Sequence, residues 1–128
     1  MNMKIEHFAL PAKDAKKLAE WYRDNLGFNI LYKSEGTPPI YFINLGEMSI
    51  EIVPPGKDDT VHNAFATHFA IVVAPEAFDR TIEDLQKKGI VFDPETNNAF
   101  FGGTRMRFTQ DPEGHRLQII SRGKPLLS

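Results

Sequence analysis

Two histidines stand in matched settings, His7 within Ile5-Glu6-His7-Phe8-Ala9-Leu10 and His68 within Thr67-His68-Phe69-Ala70-Ile71-Val72-Val73. Each lies in an apolar run of strand type. After each comes a helix-like segment and then, about 20 residues on, a glycine: Gly27-Phe28 and Gly89-Ile90. An imidazole can coordinate a metal or carry a proton near neutral pH, so a repeated strand histidine points to site chemistry. Two more coordinating side chains occur late in the copies, Glu51 in Met48-Ser49-Ile50-Glu51-Ile52-Val53 and Gln118 in His115-Arg116-Leu117-Gln118-Ile119-Ile120. Side chains alternate across a strand. His7 therefore shares a face with Ile5 and Ala9, Glu51 with Ser49, His68 with Ala70, and Gln118 with Arg116 and Ile120. All four lie opposite the apolar residues that pack under a helix. If each sheet curls, its first and last strands bring these groups to one concave face.

The elements that position them follow in order. Lys4 to Leu10 is a strand stopped by Pro11. Asp14 caps a helix carrying Ala15, Leu18, Ala19, Tyr22 and Leu26, closed by Gly27. Phe28 to Lys33 is a strand, and Ile40 to Leu45 with Met48 to Val53 forms a hairpin around Gly46-Glu47. A polar connector, Pro54 to Ala66, leads to the strand Thr67 to Val73. Pro75 opens a second helix whose buried stripe is Phe78, Ile82 and Leu85, ending at Gly89. Ile90 to Phe92 starts a strand, Asn97 to Gly103 is a looser insert, and Thr104 to Gln110 is a strand. Asp111-Pro112-Glu113-Gly114 is a turn with a capping Asp, a fixed-φ Pro and a permissive Gly. His115 to Ser121 is the last strand, and the tail from Gly123 is loose. The fold class is α+β: tandem βαβββ modules forming a curled mixed sheet with helices outside. Residues 1–128 then make one domain, with modules at 4–53 and 67–121 and a connector at 54–66.

Composition sets the bounds. A chain of 128 residues, 41% hydrophobic and 25% charged, is long enough to bury an ordinary globular core. A net charge of −2 offers no electrostatic footprint for nucleic acid or an anionic membrane surface. With no cysteine there is no disulfide framework, thiolate nucleophile or cysteine-based zinc site. No apolar stretch approaches the roughly 18 residues of a membrane span, and no signal-peptide core is present. The expectation is a cytoplasmic protein with a small-molecule substrate.

The runs Ile5-Glu6-His7-Phe8-Ala9-Leu10, Thr67-His68 and Asp111-Pro112-Glu113-Gly114-His115-Arg116-Leu117-Gln118-Ile119 resemble the vicinal oxygen chelate superfamily of glyoxalase I, bleomycin-resistance proteins and extradiol dioxygenases. The resemblance spans residues 4 to 121. In metal-binding members the histidine of each first strand and a carboxylate of each last strand ligate one divalent ion. Carried over, the metal ligands would be His7, Glu51, His68 and Gln118. The departure is Gln118, where lyase members usually place a glutamate that also acts as base. Such donors suit Zn, Ni, Mn, Fe or Co. With Glu51 as the sole anionic ligand the centre would keep about one positive charge, giving weaker affinity but a stronger Lewis acid.

What the resemblance implies is a glyoxalase I-like lyase or isomerase that acts on an α-oxygenated carbonyl through a metal-stabilised enolate, working as a homodimer. Gln118 carries no charge, so the base falls to Glu51. Two alternatives stand beside it. One is a thioester epimerase using the same enolate logic. The other is a metal-free binding protein of the bleomycin-resistance kind, in which Gln118 only hydrogen-bonds within a ligand pocket. Extradiol dioxygenases fit less well, being usually longer and built on a two-His, one-carboxylate iron site.

Arg105 and Arg107 alternate with Met106 and Phe108, which places both arginines on one face and Phe108 under the helix. If that face is the concave one, they join Arg116 in holding a substrate carboxylate or phosphate; otherwise they belong to a solvated sheet edge. Phe42, Phe100, Phe101 and Met106 are candidates for an apolar pocket wall, with Phe42 and Phe101 foremost. His115 reads as a turn-capping or solvent-facing residue, His62 as a connector residue without a role, and Trp21 as helix packing.

Overall fold

The computed structural model describes residues 5–56 and 68–126. The first unit runs β1 (His7–Pro11), α1 (Ala15–Leu26), β2 (Ile30–Lys33), β3 (Tyr41–Asn44) and β4 (Ser49–Val53). The second runs β5 (Phe69–Val72), a 3-10 turn Pro75–Ala77, α2 (Phe78–Lys87), β6 (Thr96–Asn98), a 3-10 turn Phe100–Gly102, β7 (Thr104–Gln110) and β8 (Arg116–Arg122). Each unit holds one mixed four-stranded sheet, ordered β1-β4-β3-β2 and β5-β8-β7-β6. The first and last strands of each unit pair in parallel, and the other neighbours are antiparallel. The fold is α+β with a βαβββ repeat. The chain divides into compact units Met1–Val61 and His62–Ser128.

α1 forms where the sequence supplies both ends. The Asp14 carboxylate accepts from the Lys17 N–H at 3.0 Å, satisfying a donor that the first turn leaves over. Gly27 closes the helix at φ 74°, and its N–H donates to the Arg23 carbonyl. Between the caps, Leu18, Ala19 and Tyr22 are fully buried against Ile43, Ile50 and Ile52 of the sheet's inner face. Burying each large aliphatic side chain contributes roughly 1.5–3 kcal/mol. α2 has no side-chain cap at its start, and Pro75 pre-sets the preceding 3-10 turn. Its stripe Phe78, Ile82 and Leu85 is buried as the spacing requires, with Leu117 and Ile119 equally buried in β8.

Elsewhere the chain departs from the sequence expectation. Residues 90–92 are not a strand, although Ile90 and Phe92 are buried. The segment is tied to β7 by the Thr109 hydroxyl donating to the Val91 carbonyl and the Asp93 N–H donating to the Phe108 carbonyl. The stretch 97–103 is more regular than a loose insert, since β6 and a 3-10 turn occupy most of it. The tail is anchored: Gly123 N–H donates to the Gly103 carbonyl at 2.8 Å and Lys124 N–H to the Phe101 carbonyl at 2.6 Å. The Gly46-Glu47 turn forms as read, flanked by a Leu45 N–H to Met48 carbonyl bond. Of the connector, only Pro54–Gly56 lies within the described residues; Lys4, His62 and Thr67 lie outside them.

Candidate functional site

In the first unit the ladder partners are His7 with Ser49, Ala9 with Glu51, and Phe42 with Glu51. His7, Glu51 and Phe42 therefore share the sheet face away from α1, while Ile43, Ile50 and Ile52 fill the other. The His7 Nε2 lies 3.6 Å from the Glu51 Oε1, and its Nδ1 lies 2.9 Å from the Glu6 Oε1. Phe42 meets the imidazole edge-to-face, ring centres 5.5 Å apart, and Tyr32 meets Phe42 in the same manner at 6.3 Å. A carboxylate only accepts, so in the neutral ring the hydrogen sits on Nδ1 towards Glu6 and the Nε2 lone pair is left for Glu51. Two electron-pair donors then face one another, an arrangement that a cation between them relieves. Their separation is one that donors each about 2.1 Å from a shared divalent ion would subtend. Glu6 occupies the outer position that commonly orients a metal-bound histidine.

The second unit repeats the layout. Ala70 pairs with Gln118 and Phe108 with Gln118, matching Ala9 and Phe42 around Glu51. His68, one residue before β5, meets Phe108 edge-to-face at 5.1 Å and 83°, close to the 82° of His7 on Phe42. Gln118 is buried, and its side-chain nitrogen donates to the Met106 sulfur at 3.2 Å, leaving the amide oxygen as the atom able to coordinate. Among the described residues no group of three or more His, Asp and Glu side chains is gathered as a cation cage. Two donors of metal-binding type meet in the first unit. Their counterparts in the second are an imidazole just before β5 and an amide at the ladder position that matches Glu51.

The arginine expectation needs correction. Arg105 pairs with Ser121 and Arg107 with Ile119, so both lie on the α2 side of the sheet, not beside Gln118. Arg105 lies 4.4 Å over the Phe78 ring and is held by Asp79 at 2.6 Å and Glu95 at 2.8 Å. Its guanidinium, hydrogen-bonded to both carboxyls, holds them below the usual carboxylate range, and they in turn raise its own pKa. Arg107 lies over Phe92 and donates to the Asp93 carbonyl. It follows that Phe108 is not under the helix but on the His68 and Gln118 face. Arg116 does share that face; it stacks 4.7 Å over Phe108 and pairs with Asp93 at 3.4 Å.

Phe101 is exposed, at φ 53°, with the Arg122 guanidinium 4.7 Å over its ring. His115 is buried rather than solvent-facing, its Nδ1 2.6 Å from the Asp111 Oδ2. The other Asp111 oxygen accepts from the N–H groups of Glu113 and His115, so the turn carboxylate draws the imidazole inward. Trp21 meets Tyr22 edge-to-face on α1. The sequence reading does not single out Glu6, Tyr32 or Arg122. The first two were legible as a neighbour of His7 and as an aromatic two residues past Ile30.

Comparison with known proteins agrees with this fold. A curated relative, the uncharacterized protein YraH of Bacillus subtilis, is 24% identical over 91% of this chain and 97% of its own length. Among solved structures, the genomically encoded fosfomycin resistance protein FosX of Listeria monocytogenes superposes with a TM-score of 0.79 at 20% identity. The match covers 98% of this chain and 94% of that one. A point mutant of the same Listeria protein was solved with Mn(II) and 1S,2S-dihydroxypropylphosphonic acid. Lactoylglutathione lyase from Agrobacterium tumefaciens gives a TM-score of 0.72 at 18% identity, covering 94% of both chains. The sequence profile that matches is named Glyoxalase/Bleomycin resistance protein/Dioxygenase superfamily and spans residues 4–119; the chain belongs to that family.

Proposed function

We propose that this protein is a divalent-metal-dependent lyase or isomerase resembling glyoxalase I, acting on a small α-oxygenated carbonyl compound. The observation that carries the reading is the His7–Glu51 pair, two donors 3.6 Å apart with Glu6 behind the imidazole. His7 and Glu51 are the proposed ligands in the first unit, and His68 and Gln118 the equivalent donors in the second. A bound ion would act as Lewis acid towards substrate oxygens. Glu51 is the proposed base: its carboxylate takes the proton from the carbon beside the carbonyl and returns it to the neighbouring carbon, so the reaction is redox-neutral overall. Gln118 can orient or coordinate but cannot take a proton at neutral pH. Phe42 is proposed to pack against the substrate beside Glu51, and Arg116 and Phe101 remain proposed substrate contacts in the second unit. A homodimer in the cytoplasm is the proposed working form.

The test is metal analysis of untagged protein, followed by hemithioacetal isomerisation assays after loading Mn, Ni, Zn or Fe in turn. Near-stoichiometric metal, lost in a His7→Ala/His68→Ala variant, together with turnover abolished by Glu51→Gln, is the expected result. Turnover retained in Glu51→Gln would remove the base assignment. Turnover of an acyl thioester with exchange at its α-carbon, without hemithioacetal activity, would move the reading to an epimerase. A second reading, a metal-free binding protein of the bleomycin-resistance kind, is favoured by one observation: the uncharged Gln118 is buried and already engaged with Met106. Absence of metal and of any thermal shift with all four ions would select it.

A further inference from the structure

Along the Gln118 face of the second unit, side chains two residues apart on β8 change character from amide to aliphatic to cationic: Gln118, Ile120, Arg122. β5 contributes Ala70 beside Gln118 and Val72 beside Ile120. β7 adds Thr104 opposite Arg122. Beyond Ile120 lies a cavity of about 470 Å³ walled by Ala70, Val72, Ile120, Pro125 and Leu126, with Arg122 the sole charged residue lining it among the described residues. That volume falls within the range of small-molecule sites. Val72 and Leu126 stay 68% and 57% exposed, so the aliphatic wall is open to a ligand rather than filled by its own side chains.

The wall is built, not incidental. The tail that carries Pro125 and Leu126 is fixed by the Gly123–Gly103 and Lys124–Phe101 backbone bonds. It crosses Gly102 so closely that any Cβ on Gly123 would collide with the Gly102 carbonyl. Phe101, a non-glycine residue in the left-handed region, offers its ring to Arg122, while Arg122 Nη1 donates to the Thr104 hydroxyl at 3.1 Å. Among the described residues that one hydrogen bond engages one of the five guanidinium donors, leaving a positioned cation at the end of an apolar cavity.

We propose that this cavity binds an aliphatic carboxylate, the chain against Val72, Ile120 and Leu126 and the carboxylate on Arg122. The inference goes beyond the metal reading and does not depend on it, because none of these residues is a proposed metal donor. Metal-free protein, prepared with chelator, is titrated calorimetrically with decanoate, decanol and decyltrimethylammonium below their aggregation concentrations. Decanoate binds at one site per chain, decanol about tenfold or more weaker, and the cation not at all. Arg122→Gln brings decanoate down to the decanol level, Arg122→Lys recovers part of the difference, and Ala70→Phe blocks both ligands while circular dichroism stays unchanged. Equal binding of decanoate and decanol, or full decanoate binding in Arg122→Gln, would overturn the assignment. So would a Val72→Glu variant that dissociates a dimer in a wild type that takes up no decanoate, since the apolar wall would then belong to a second copy of the chain.

Discussion

In the first unit His7 faces a carboxylate, whereas in the second the residue at the same ladder position is an amide that donates to a thioether. Around this exchange the scaffolds agree closely. The same strand order, the same alanine partner and the same edge-to-face phenylalanine surround Glu51 and Gln118. The backbone repeat therefore fixes where a donor stands but not its charge. At the neighbouring position Ser49 of the first unit becomes Arg116 of the second, so the anionic end of the pattern and the cationic one lie in different units. On the proposed function, the first half supplies the base and the anionic metal donor, and the second a cation facing the substrate.

Exchanging the donors tests this contrast most sharply. Glu51→Gln makes the two halves alike and should lower turnover at least 100-fold, with metal affinity falling on the order of 10–100-fold and the circular dichroism spectrum retained. Gln118→Glu makes them alike in the other direction. It should tighten metal binding about tenfold or more, read by competition with a chromophoric chelator; unchanged affinity would separate Gln118 from the metal altogether.

Stability should respond next. Asp111→Ala leaves two backbone N–H groups and a buried imidazole without this carboxylate, and should cost about 2–4 kcal/mol in urea unfolding; in the first unit's turn the Asn44 side chain accepts, among the described residues, only from the Gly46 N–H and holds no imidazole.

The Arg105 clamp distinguishes the units by pH. Asp79 and Glu95 have folded pKa values below their ordinary 3.8 and 4.5, so their contribution is fully present at neutral pH and is lost as pH falls through the depressed values. Arg105→Met should lower the neutral-pH melting temperature by a few degrees and flatten its acid decline. An unaltered acid limb would contradict the clamp. The smallest effect is expected from Glu6→Gln, about tenfold at most in metal affinity, because the amide oxygen still accepts from His7 Nδ1.

Much of the scaffold was legible because its signals are local. Asp14 and Gly27 bound α1, the stripe Phe78-Ile82-Leu85 faces inward, and each histidine lies opposite its apolar strand neighbours. What could not be read was the parity of β7. Arg105-Met106-Arg107-Phe108 alternates cleanly, but both of its faces have something to bury, and arginine stems and guanidinium planes pack over Phe78 and Phe92 as well as apolar side chains do. Only the β8 ladder, setting Phe108 against Gln118, decides the matter. For His115 the solvent-facing alternative fails for a similar reason, since a Pro-Gly turn suggests solvent unless the carboxylate four residues back is known to be buried. The donor positions emerged from the repeat, whereas the pocket at Arg122 depends on a tail contact that no periodicity announces.

The parallel pairing of first and last strands also sets a timetable for synthesis. β1 must wait for β4, His7 meeting Ser49, and β5 must wait for β8, Phe69 meeting Leu117. Such distant pairings slow closure compared with a hairpin. Yet each wait ends inside its own unit, so the first sheet can close once Val53 has cleared the ribosome, without waiting for β8 to be translated.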